Sequence, residues 1–527
     1  MAAPPRVARR TSAILASVVL VTAFPTVAGA GHGHPNPAPY VALTAAAGAG
    51  RIVPLINSGQ TFDGDIFEGI PDGLGLVPVG NGSTQMDLYV AFEQSHVPFS
   101  GFADFEDSSV HRARIDFTDP NHIQLVDLDE VLPPSAGFIR FCSAFMAGPQ
   151  HGFTDYTFFV NEESNDIIDL VPGATYGADP AIAPYRQAGY SVWLNTATGA
   201  FDEISRMGRH NHENTVVVPG GWKWTSTLSS DDTFNAPSSQ LYLHTANDPG
   251  QIYTDKGQLW AFQVTATGSG PVDPFDPFNG ANDFLDIAIG QTWSGRFIHV
   301  PTDIARGVTD EAPQAALENW SNANNVFQFI RVEDIAYDPD DPRTVYFTDT
   351  GATAQHSTAT EGPTAGRMVA GGVNNQGRIF KMTLNAADPR IVDTFSVLAD
   401  ASSVLDPASP GPVQTMRRPD NLDVGHASMM VQEDQSGGAK VWRYDLASGV
   451  WSHVATATQS TAETSGIIDL SSTGLGAGWW ALDVQSHVNL PGTMGPFVYT
   501  TPITGVQITY NTRREDGQLL LMFIPGS

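Results

Sequence analysis

The sequence predicts a mainly β chain. Strand-like runs recur between clusters of Gly, Pro, Asn and Asp from Asp87 onward, and almost no segment sustains a helical period. Composition points the same way: 527 residues with 51 Gly, 37 Pro and 28 Phe but only 16% charged side chains suit many short strands joined by turns.

In chain order, the first element is a targeting segment. Three arginines within the first ten residues, an apolar run over residues 13–24 and the small residues Ala28-Gly29-Ala30 predict a cleavable export signal over residues 1–30. Arg9-Arg10 ahead of the apolar run is compatible with a twin-arginine signal. Residues 31–50, opening with Gly31-His32-Gly33-His34 and rich in Pro, read as a flexible leader, and residues 51–527 as one β domain. No later stretch is long and apolar enough for a membrane span. The expected product is secreted or periplasmic.

The strand-like runs are residues 88–92, 156–160, 191–194, 215–218, 241–244, 259–264, 345–347, 378–384, 441–444, 479–484 and 519–523. Each is rich in the β-branched and aromatic side chains that fit a pleated, half-buried surface. Residues 441–454 join two such runs through a Gly-containing turn, as neighbouring antiparallel strands do. Two insertions stand out. Residues 271–286 form a Pro-punctuated acidic loop whose oxygens suit calcium but lack the EF-hand order. Residues 352–373 read as a long surface loop.

One repeated pattern narrows the architecture. His212-Glu213-Asn214, Val332-Glu333-Asp334 and Pro419-Asp420-Asn421 each place a carboxylate, then Asn or Asp, at the opening of a strand. Their spacings, 333 − 213 = 120 and 420 − 333 = 87, approximate three and two times the roughly 40–45 residues of a propeller blade. Innermost propeller strands surround one channel, so equivalent residues of different blades would converge there.

Charge restricts the partners. Lys+Arg 26 against Asp+Glu 56 gives a net charge of −30, which repels nucleic acid and anionic membranes. The letters His210-Asn211-His212 match a nuclease motif, but this field argues against DNA. A small anionic substrate remains possible where arginines or bound cations reverse the local sign. The single cysteine, Cys142, excludes an internal disulfide; it is a buried spectator, an intermolecular linker or a ligand.

Three clusters carry candidate chemistry. Arg206-Met207-Gly208-Arg209-His210-Asn211-His212-Glu213-Asn214 offers Glu213 as an anionic ligand and Arg209 as its neutralising partner. Cys142 followed by Asn161-Glu162-Glu163 combines a thiolate with paired carboxylates, a mixed ligand set that suits iron better than calcium alone. Arg331-Val332-Glu333-Asp334 sets a guanidinium two residues from a carboxylate, on one side of extended chain. Arg331 can grip a phosphate as a fork while Glu333 holds a neutralising cation.

Cys142, Asn161-Glu162-Glu163, Gly208-Arg209-His210-Asn211-His212-Glu213, Arg331-Val332-Glu333-Asp334 and Pro419-Asp420-Asn421-Leu422 resemble, in order and type, the PhoX-type alkaline phosphatases, the DUF839 family. The resemblance spans roughly residues 87–434. It implies an exported six-bladed propeller with loop insertions, with two ferric irons and calcium ions in a central site that cleaves phosphomonoesters. It implies Cys142 as the iron thiolate ligand, and Glu163, Glu213, Glu333 and Asp420 as metal-bridging or metal-binding carboxylates. Arg331 would bind the substrate phosphate and act in catalysis, with Arg209 a second substrate contact. The chain departs from the family pattern at Glu93-Gln94-Ser95-His96 and over residues 146–153. A monomer acting on a small phosphoester is expected. Two further readings are a calcium-dependent lactonase or esterase propeller and a non-catalytic secreted propeller with structural metals.

Overall fold

Six antiparallel blades succeed one another along the described chain, and the innermost strand of each lies beside that of the next. The computed structural model describes residues 36–79, 82–93, 108–164, 167–169, 185–233, 239–276, 279–284, 286–309, 311–351, 376–409, 413–492, 494–500 and 507–527. Contacts divide the chain into Met1–Gly33 and His34–Ser527, and all described residues belong to the second unit. The expected export signal, the His32/His34 pair and the loop at 352–373 lie outside the described residues.

The innermost strands are Pro71–Pro78, Phe141–Ala147, His212–Val217, Val332–Asp338, Pro419–Val424 and Glu463–Asp469, defining blades one to six. The ring closes with Glu463–Asp469 against Pro71–Pro78. The expected six-bladed propeller is the fold. Early chain completes late blades: Arg51–Asn57 pairs with Glu515–Phe523 as the outer strand of blade six, and Val41–Leu43 pairs with Trp451–Ala457 at the edge of blade five. Residues 41–43 are therefore sheet rather than flexible leader.

Blades three and four share one continuous sheet. Strand Trp293–His299 pairs with Gln258–Thr267 on one side and Ile391–Asp400 on the other, stitching the two outer edges together. Phe262, Phe327, Phe329, Phe347, Phe380 and Phe395 pack between these blades, with Phe347 and Phe380 stacked 5.2 Å apart. Buried rings of this size dominate core energetics. The blade arithmetic needs a correction: Glu213, Glu333 and Asp420 sit on consecutive blades. Each spacing is one blade enlarged by insertions, among them helix Pro313–Ala323.

The innermost strands also share a local irregularity. In five blades, two residues at the strand opening face one residue of the neighbouring strand. The doubled positions are Asp72-Gly73, Cys142-Ser143, Glu213-Asn214, Glu333-Asp334 and Asp420-Asn421. Each is a β-bulge, which bends the strand and re-aims consecutive side chains. Blade six carries the single extra residue Gly466. A Cβ there would lie 2.1 Å from the Asp72 carbonyl oxygen, and its φ of +37° is left-handed, so glycine is required.

Candidate metal centre

The bulges build the site. Their first residues bring Asp72, Cys142, Glu213, Glu333 and Asp420 to the propeller axis. A second set comes from the residue following the second strand of a blade: Glu93, Glu163, Asp232, Thr350 and Asp434. Ligand atoms meet within 4.8 Å in three linked groups, Asp72–Glu93–Cys142, Cys142–Glu163–Glu213 and Glu213–Glu333–Asp420. All five residues expected as metal ligands are thus brought together, with Asp72 and Glu93 added. Cys142 Sγ lies 3.1 Å from Asp72 Oδ2 and 3.3 Å from Glu213 Oε1.

The second bulge residues bond to one another and hold the first. Asn421 Nδ2 donates to Ser143 Oγ at 2.8 Å, and Ser143 Oγ donates to Glu213 Oε1 at 2.7 Å. Asn214 donates to Asp334, which also accepts the Leu422 amide at 3.0 Å. Thr350 Oγ1 donates to Glu333. Gly73 leaves no room for a side chain at its own bulge, since a Cβ would meet Ala144 Cβ at 2.5 Å.

Acidic doublets at the ends of second strands divide their labour. Glu162 accepts the amides of Ile139 and Tyr190, leaving Glu163 to face the axis. Asp231 accepts from Thr233, while Asp232 takes Arg331 in a fork. Glu433 accepts the Arg417 and Lys440 amides and the Trp442 indole, while Asp434 faces Arg331 at 3.6 Å. The sequence reading missed Asp232 and Asp434; the doublets Asp231-Asp232 and Glu433-Asp434, alike with Glu162-Glu163, were the available signal. Asp72 was also missed, although Pro71-Asp72-Gly73 parallels Pro419-Asp420-Asn421.

Arg331 contacts three acids. Its Nη2 also lies 3.1 Å from Glu333 Oε1, and its side chain is 16% exposed. Arg209 is a correction to the expected substrate contact: it has no exposed surface, stacks 3.4 Å over the Tyr190 ring and donates to the Gln187 and Ala188 carbonyls. That buries it between blades two and three, out of a substrate's reach. Arg140 acts on Glu163 and Glu93, Arg331 acts on Glu163, and Arg418 joins Arg331 at Asp434. His210 and His212 stack on each other behind the bulge and line no part of the cluster. In the acidic loop, Asp273 and Asp286 accept backbone amides of their own segment.

Burial and crowding make the ionised cluster electrostatically unfavourable. Burial pushes the Cys142 thiol well up, with Asp72, Glu213, Glu163 and Glu93 adding to it. Burial and mutual repulsion likewise raise Glu163, Glu213, Glu333 and Asp420 well above the carboxylate range. Asp72 is pushed up to about 6 and Glu93 to about 7, by burial first. Among the described residues, Glu213 Oε2 and Asp72 Oδ1 are buried without a hydrogen-bond partner. Buried polar atoms of this kind are costly unless something binds them. Orphaned carboxylate oxygens around a thiol fit a multi-cation site.

No helix among the described residues is long and apolar enough to cross a membrane. No curated protein matches the chain. Among solved structures, Pseudomonas fluorescens PhoX in complex with vanadate, a transition state analogue, superposes with a TM-score of 0.58 at 13% identity, covering 93% of this chain and 97% of that one. An aldose sugar dehydrogenase from Streptomyces coelicolor, at 10% identity, scores 0.31, covering 89% of this chain and 98% of that one, too low to bear on the assignment. A family profile described as alkaline phosphatase PhoX matches residues 175–470, more than half of the sequence. The chain belongs to the alkaline phosphatase PhoX family.

Proposed function

We propose that this protein is an exported, monomeric, metal-dependent phosphomonoesterase that hydrolyses phosphate esters at the acid cluster on the propeller axis. The observation that carries the reading is the charge balance of that cluster. Asp72, Glu93, Glu163, Glu213, Glu333, Asp420 and the Cys142 thiol outnumber the cationic groups that act on them among the described residues, Arg140, Arg331 and His487, a setting that repels a phosphate ester until cations fill it. Cys142 with Glu163 and Glu213 is the set suited to ferric iron, and the all-oxygen set Glu213, Glu333 and Asp420 suits calcium. Cations held there supply Lewis acidity toward the phosphoryl oxygens. Vanadate bound to Pseudomonas fluorescens PhoX supports phosphoryl chemistry in a relative of this fold.

Arg331 is the chain's own contribution at the phosphate. Asp232 fixes its Nε and Nη2, so the guanidinium is oriented before substrate arrives, and its Nη1 edge faces the rim at Asp434. A donor fixed in this way stabilises developing charge without reorganising during reaction. Ser143, Asn421 and Thr350 orient the carboxylates behind it.

The experiment is parallel hydrolysis of p-nitrophenyl phosphate and of a γ-lactone by one purified preparation, before and after chelation. Phosphate-ester turnover that chelation abolishes and iron with calcium restores supports the reading. Lactone turnover alone contradicts it.

A further inference from the structure

The outer edge where blades three and four fuse holds a second cleft, of about 480 Å³. Trp224 and Trp260 form its aromatic walls, with Arg206, Lys256, Arg390 and Asn247 around them. None of these residues belongs to the axial cluster. Every charged residue among the described lining is cationic, in a chain where acids outnumber bases 56 to 26. Two of the four lysines gather here: Lys256 in the lining and Lys223, 4.3 Å over the Trp224 ring.

The fused sheet explains why these residues meet. Trp260 pairs with His299 on the stitching strand, and the Phe297 amide donates to the Arg390 carbonyl at 2.7 Å. Arg390 is thereby carried from blade four to blade three, where its guanidinium lies 5.1 Å from the Trp224 ring and 4.9 Å from the Trp260 ring. Asp388 fixes that guanidinium through Nε and Nη2, at 2.8 and 2.6 Å. Lys256 is exposed, and both indoles are half-buried.

We propose that this cleft is a second binding site, for an acidic saccharide. Indole faces pack against the apolar CH face of a pyranose ring, the cations donate to its carboxylate or sulfate, and the amides of Asn247, Gln251 and Gln258 bond hydroxyls. The volume lies within the roughly 300–1,000 Å³ of small-ligand sites. A long polyanion such as nucleic acid would extend beyond the local patch into a surface of net charge −30, whereas one or two acidic sugars stay within it. This inference does not depend on the phosphatase reading.

The test titrates the purified full chain with oligogalacturonate and with a heparin-derived oligosaccharide, following tryptophan fluorescence and heat. Maltohexaose and inorganic phosphate are the controls. At least one acidic saccharide binds saturably, and binding weakens by about tenfold or more in Trp260→Ala and in Lys256→Glu. Lys256 is exposed, so Lys256→Glu keeps the wild-type melting temperature and isolates the charge. No saturable binding, binding undiminished in Lys256→Glu, or equal affinity for maltohexaose or phosphate overturns the proposal.

Discussion

Asp232 grips Arg331 with both carboxylate oxygens, Nε to Oδ1 at 2.8 Å and Nη2 to Oδ2 at 2.7 Å. The acid has no exposed side-chain surface, so this is a buried pair joining blade three to blade four. Asp232→Asn removes the charge and half of the fork. Breaking a buried pair costs about 3–5 kcal/mol, and chemical denaturation should show a loss of that order. With p-nitrophenyl phosphate, kcat falls more than KM rises, because the guanidinium loses its fixed orientation. Arg331→Lys does not substitute, since an ammonium cannot form the planar fork.

Gly466 tests whether blade six shapes the metal site. Its Cβ position lies 2.1 Å from the Asp72 carbonyl and 3.0 Å from both Asp483 carboxylate oxygens. Gly466→Ala therefore displaces Asp72 or opens the bulge. The expected loss is about 1–3 kcal/mol in stability, with reduced metal content measured on the same preparation.

Glu433 gives a pH signature away from the metal ligands. Burial pushes it from an ordinary 4.5 up to about 7, although Lys440, Trp442 and the Arg417 amide pull it down. Between those values the folded chain binds the proton that the unfolded chain has released, so this residue's stabilisation falls as pH rises from about 4.5 to about 7. Glu433→Gln abolishes that slope. Gln mimics the protonated acid, so the urea midpoints of the two proteins should separate as pH rises through this window, with wild type falling relative to the variant; parallel midpoints would contradict the assignment.

Chelation should lower stability as well as activity. On the proposed reading cations bind the folded cluster and not the unfolded chain, so their removal costs the linkage free energy, about 2.7 kcal/mol for a ligand at one hundred times its Kd. A melting temperature that EDTA leaves unchanged would place the cations elsewhere.

The legible part of the site was the part that leaves a trace in one strand. A bulge needs two residues where one is usual, so Glu213-Asn214, Glu333-Asp334 and Asp420-Asn421 stand out before a β run. Asp72 carries the same trace with Gly73 in second place, but packing against Ala144, invisible in sequence, is what selects that glycine. Glu93 reads as a departure from the family pattern, yet it joins Asp72 and Cys142. Asp232 and Asp434 act across blades, and no periodicity reports such a partner. Arg209 misled because its charge says nothing about the Tyr190 face that covers it. The propeller itself was readable from the strand runs, whereas insertions of unequal length hid the true blade spacing.

The central claim is that one thiol and the axial acids cage cations, and elemental analysis of wild type beside Cys142→Ala tests it most directly. Wild type should contain iron and calcium; the variant should lose iron and phosphate-ester turnover together while retaining its fold. A Cys142→Ala protein with full iron and full turnover would contradict the account.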